Sequence, residues 1–146
     1  MRLFLIAFSM MATFVSKADT PNMDRVSPTV LKSFETSFKA AQEVSWTVTG
    51  EMYKAAFTFN GQHVTAFYNN EGSLVALTRN ITSNQLPIKL QTELKNKETG
   101  WITDLFEVSG EEGVTYYVTM ENADQKVVLK SEGISSWSVY QKTDKN

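Results

Sequence analysis

The chain has 146 residues, 42% of them hydrophobic, which is enough for one domain with an apolar core but short for two independent ones. Lys and Arg number 14 against 16 Asp and Glu; the net charge of −2 and the lack of a basic cluster argue against nucleic acid and anionic membrane surfaces as partners. There is no cysteine, which excludes a disulfide framework and a lipoprotein acylation site alike.

Met1-Arg2 is followed by an apolar run, Leu3 to Val15, that is short for a bilayer and ends in Ser16-Lys17-Ala18. This is the pattern of a secretory signal peptide, with small residues at Ser16 and Ala18 placing cleavage before Asp19. An uncleaved anchor is the alternative. Cleavage removes Arg2 and Lys17, leaves 12 basic against 16 acidic residues, a net charge of −4, and puts the mature chain in the periplasm or outside the cell. Residues 19–26 read as a polar tether and 142–146 as a charged, mobile tail.

Ser27-Pro28 supplies an N-cap and a first-turn proline, and Leu31, Phe34, Phe38 and Ala41 recur at helical spacing, predicting an amphipathic helix that ends near Gln42. Val44, Trp46 and Val48 then alternate with small polar residues. Tyr53, Ala55, Phe57 and Phe59 continue the apolar set on a second strand, and Val64, Ala66 and Tyr68 on a third. Asn60-Gly61 between these strands predicts a type I′ hairpin. A fourth strand, 73–79, has no clear facing. Leu86, Leu90 and Leu94, with Pro87, form a second helical stripe ending at Thr99-Gly100. A second run of strands follows, in which Ile102, Phe106 and Val108 share one face and Val114, Tyr116, Val118 and Met120 alternate with Thr115, Tyr117 and Thr119. Val127 and Leu129 alternate with Lys126, Val128 and Lys130, and 134–140 is the last strand.

A gapless shift of 61 carries Tyr53, Phe57, Phe59, Ala66, Tyr68 and Gly72 onto Val114, Val118, Met120, Val127, Leu129 and Gly133. The predicted fold class is therefore α+β: a tandem repeat, residues 27–80 and 84–141, of one helix followed by a four-stranded antiparallel meander. The helices lie on one face and the other face is open. Whether the two meanders join into one sheet is left undecided by the pattern.

The Pro28–Phe38 helix, Val44-Ser45-Trp46 entering a strand, Tyr53 to Phe59, Phe67-Tyr68 before Asn70-Glu71-Gly72, and Leu86-Pro87 together resemble the PepSY-like, β-lactamase-inhibitor-like secreted proteins common in Bacteroidota. The resemblance covers nearly all of the mature chain. It implies helices packed on one face of an antiparallel sheet and a role as an inhibitor or protein-binding module. The chain departs from the streptomycete inhibitor in lacking cysteines, and no inhibitory loop matches residue by residue.

No catalytic constellation stands out. His63 is the lone histidine and can supply one metal ligand at most, and Glu111-Glu112 falls in a hairpin tip beside Gly110 and Gly113. Catalytic, metal and cofactor-binding residues are all expected to be absent. Trp46 shares the alternation of Val44 and Val48, which assigns it to the core, whereas Trp101 is out of phase with Ile102 and Phe106. The candidate binding surface is the open sheet face: Lys54, Thr58, His63, Thr65, Phe67, Trp101, Thr115, Tyr117, Thr119, Lys126 and Val128. The function these features suggest is a monomeric, non-enzymatic module that binds a protein or peptide of the cell envelope, as an inhibitor in its specific form. A carrier or sensor of a small ligand or peptide held between helix and sheet is the second reading, and an enzyme the third.

Overall fold

A computed structural model of the protein describes residues 23–97 and 100–145. The expected signal peptide and its expected cleavage point before Asp19 lie outside the described residues, as does Thr99, the expected end of the second helix. Helix α1 (Pro28–Ser37) starts where Ser27 Oγ accepts from the Val30 N–H at 3.3 Å with Pro28 in the first turn, and α2 (Ile88–Lys95) follows Pro87. The strands are β1 (Gln42–Thr49), β2 (Met52–Phe59), β3 (Gln62–Tyr68), β4 (Leu74–Asn80), β5 (Trp101–Gly110), β6 (Gly113–Glu121), β7 (Gln125–Glu132) and β8 (Ser138–Asp144).

All eight strands form one antiparallel sheet in chain order. This corrects the expected tandem repeat of a helix plus a four-stranded meander: β4 pairs with β5 from Ala76↔Gly110 to Asn80↔Phe106, so no boundary divides the sheet, and among the described residues only two short α-helices accompany it. The gapless 61-residue correspondence also fails in the pairing. It would set Val127 opposite Tyr116, as Ala66 sits opposite Ala55, but Val127 pairs with Met120, four residues along. The cause is the longer β6–β7 hairpin, closed around Asn122–Asp124 rather than by the two-residue Asn60-Gly61 turn. An even displacement leaves side chains on the same faces, which is why the alternation survives.

Asn60 (φ 51) and Gly61 (φ 76) both have positive φ, as a type I′ turn requires. Beneath α1, Val30, Phe34, Trp46, Ala55, Phe57, Val64, Ala66 and Tyr68 form one core; the Phe34 ring lies edge-on to Trp46 and Phe57 at centroid distances of 5.2 and 5.0 Å. Beneath α2, Leu86, Leu90, Leu94, Leu105, Val118, Met120, Val127, Leu129 and Trp137 form the other. Register places both helices on one face of the sheet: Val64 sits beside Arg79, Arg79 beside Glu107, and Glu107 beside Tyr116 of the second core.

Four further expectations are corrected. The first helix stops at Ser37, although Phe38 and Ala41 still pack on the core, and Gln42 already opens β1. Within the expected tether, Met23–Arg25 forms a 3-10 turn and Val26 is buried in the core. The last strand is Ser138–Asp144 rather than 134–140, so Lys142 and Thr143 of the expected tail pair with Val127 and Lys126. In β5 the register shifts between Ile102 and Asp104; Leu105 turns into the core, and Phe106 and Val108 turn to the opposite face.

Candidate functional site

The face away from the helices is built by the alternate residues of each strand. In the N-terminal half it carries Lys54 opposite Phe67, Thr65 opposite Ala56, and Thr58 opposite His63. All five residues expected there are brought together. Phe67, Thr58 and Thr65 are half-buried and His63 is exposed. Thr58 Oγ1 donates to Glu43 Oε2 at 3.2 Å. Burial lowers the pKa of the Lys54 ammonium.

In the C-terminal half, Thr115, Tyr117, Thr119, Lys126 and Val128 lie on the same face by register, continuing from Thr65 through Thr78 and Val108 to Thr115. Thr119 and Val128 are only 2% and 3% exposed, so these two form the floor of the face rather than its contact surface. Trp101, at the start of β5 opposite Glu121, is 59% exposed, with Lys145 Nζ 5.8 Å from its ring centroid.

Two aromatic residues complete this face: Phe106, which the alternation groups with Ile102, and Tyr140, which the sequence assigns only to the last strand. The β5 register shift turns Phe106 outward, where it stacks on Tyr117 with centroids 5.1 Å apart and planes at 14°. Tyr140 of β8 meets the other side of Tyr117 edge-on at 5.5 Å. The result is a three-ring cluster with Lys130 Nζ 6.0 Å from the Tyr117 centroid. Burial, ahead of every charge, raises the Tyr117 phenol. The sequence carried no signal for this placement of Phe106, because a bulge leaves no mark in composition.

Ion pairs flank Tyr117 on one side and Trp101 on the other. Lys130 pairs with Glu132, and Glu121 takes Lys145 at 2.9 Å and Lys126 at 3.8 Å. The Lys145 hydrogen bond is the main reason the Glu121 carboxyl is held below its usual range. Among the described residues no group of three or more His, Cys, Asp or Glu could hold a metal ion, and no helix is long and apolar enough to cross a membrane. Of the three rings, Phe106 and Tyr117 are half-buried and Tyr140 is exposed.

Solved structures share this fold. A DUF2874 family protein from Bacteroides uniformis superposes with a TM-score of 0.70 at 15% identity, covering 82% of this chain and 89% of its own. A BLIP-like protein from Bacteroides fragilis gives 0.66 at 16% identity over 87% and 88%. The chain has the fold of these proteins. A candidate periplasmic protein from Bacteroides eggerthii gives 0.72 at 14% identity over 82% and 88%, and none of the three is named as an enzyme. No protein-family model matches the sequence, and no curated protein is similar to it. At such identities the likeness establishes the fold.

Proposed function

We propose that this is a non-enzymatic binding module of the cell envelope or the extracellular space, which recognises a partner protein through its open sheet face and acts as an inhibitor or adaptor. The observation that carries the reading is the Phe106–Tyr117–Tyr140 cluster, which stands on the face that neither helix covers. Aromatic rings with fixed geometry and a polar border are the composition of interface centres. The leader-like N-terminus, the BLIP-like fold and the candidate periplasmic neighbour support the location. Carriage of a small ligand between helix and sheet is the weaker reading, because rings and aliphatic side chains fill both cores.

A photo-crosslinking amino acid at Tyr117, compared with one at the exposed Lys32 of α1, tests the proposal in intact cells. A partner adduct that forms from position 117 and not from position 32 is the expected result. Adducts from position 32 alone, or from neither position, would overturn the assignment of the binding surface.

A further inference from the structure

A different surface, the outer edge of β1, carries its own signature. Among the described residues the sheet ends at β1 and β8, and natural sheets guard such edges with charges and bulges. β8 has both: its register shifts opposite Val128 and Leu129, and it carries Lys142 and Asp144. β1 is guarded only at its start, where the register shifts between Gln42 and Ser45 and Glu43 takes a φ of 54°. From Val44 to Thr49 it reads Val-Ser-Trp-Thr-Val-Thr, β-prone and without a charge.

Along the helix side of this edge runs a groove of about 370 Å³ between α1 and β1, walled by Leu31, Phe34, Phe38, Ala41, Val44 and Trp46. Glu35 in the last turn of α1 and Lys39 just beyond its end both line it, one charge of each sign. An unpaired strand edge accepts backbone hydrogen bonds from a strand. A groove on one side of that edge accepts every second side chain of the added strand.

We infer that the β1 edge and the α1–β1 groove together form a strand-addition site for an extended, uncharged peptide segment of a partner protein, with large apolar residues at alternate positions. A second copy of this chain fits poorly. Its Trp46 is already buried beneath its own α1, and its β8 would bring Lys142 and Asp144 to the helix side, since Lys142 sits opposite the core residue Val127. The inference does not depend on the open face.

The test is a titration of the isotopically labelled protein with a capped peptide that alternates leucine with threonine, followed by amide NMR and hydrogen exchange. The Val44–Thr49 amides are expected to shift and to gain protection. Of two peptides N-methylated at alternate residues in opposite phase, one should lose binding, because only one phase turns its N–H groups toward β1. Val44→Lys should weaken binding by at least about tenfold, whereas Glu111→Ala, at the exposed β5–β6 hairpin tip, should leave it within about twofold. If Val44→Lys does not fold, the N-methylated peptides decide the matter on the unaltered protein. Equal binding by both N-methylated forms, protection at β8 instead, no response up to about 1 mM peptide, or a β1-mediated dimer that the peptide does not dissociate would each overturn the inference.

Discussion

Tyr68 shows how one buried residue sets a pH dependence. It is fully buried, its hydroxyl has no hydrogen-bond partner among the described protein groups, and burial pushes its pKa from 10.0 up to about 12. Below pH 10 both folded and unfolded chains keep the proton. Above that the unfolded chain loses it first, so stability should fall between pH 10 and about 12. Tyr68→Phe should cost little near neutral pH and flatten that alkaline decline, as denaturation midpoints across the range would reveal. The ring faces of the sheet predict a second contrast. Phe57, packed 5.0 Å from Phe34 and 4.8 Å from Phe38, should cost about 3–5 kcal/mol on truncation to Ala, and half-buried Phe67 much less. Gly100 is constrained by contact: at φ 119° a Cβ would stand 2.0 Å from the Glu121 carbonyl oxygen. Gly100→Ala should therefore lose about 2 kcal/mol or more in chemical denaturation, by forcing β5 away from β6.

At the scale of elements, hairpin chemistry decides register. A Cβ added at Gly61 would meet only open space, so Gly61→Val tests backbone conformation alone. A loss of about 1 kcal/mol is expected from a β-branched residue at φ 76°, and an unchanged midpoint would contradict the type I′ assignment. The connection into β8 is held differently: Trp137 Nε1–H donates to the Leu90 carbonyl at 3.0 Å, and the Trp137 N–H donates to Glu93 Oε2 at 3.1 Å. One indole thus ties the last strand to α2 while filling the core beneath it.

Across the whole molecule, two apolar cores share one sheet, and a polar pair lies between them on the helix side. Arg79 Nε and Nη2 donate to the two oxygens of Glu107 at 2.9 and 3.2 Å. The hydrogen bond to Glu107 is the main reason the Arg79 pKa is raised. The Glu107 side chain is only 14% exposed, so Arg79→Ala leaves a largely buried carboxylate unpaired at about 1–3 kcal/mol. Because β4 and β5 join the cores, the slowest-exchanging amides of β2 and of β6, followed by hydrogen exchange across a denaturant series, should report one shared unfolding midpoint in the parent chain. In Arg79→Ala the two midpoints should separate.

The faces of the sheet were legible in the sequence because a strand's period of two is local. Val44, Trp46, Phe57, Val64 and Val118 needed only their neighbours to be assigned to the core, and Ser27-Pro28 and Asn60-Gly61 marked a helix start and a turn by their own backbone preferences. Lys54, Thr58, His63, Thr65 and Phe67 came together on the open face for the same reason. What the sequence could not determine was everything set by pairing between distant strands. The β5 bulge that exchanged Phe106 for Leu105, the four-residue register difference of the second hairpin, and the burial of Thr119 and Val128 all depend on which backbone lies alongside. The joining of β4 to β5 is of the same kind. Hydrogen bonds between strands use main-chain groups common to every residue, so only the assembled sheet decides where one meander ends, and here neither ends before β8.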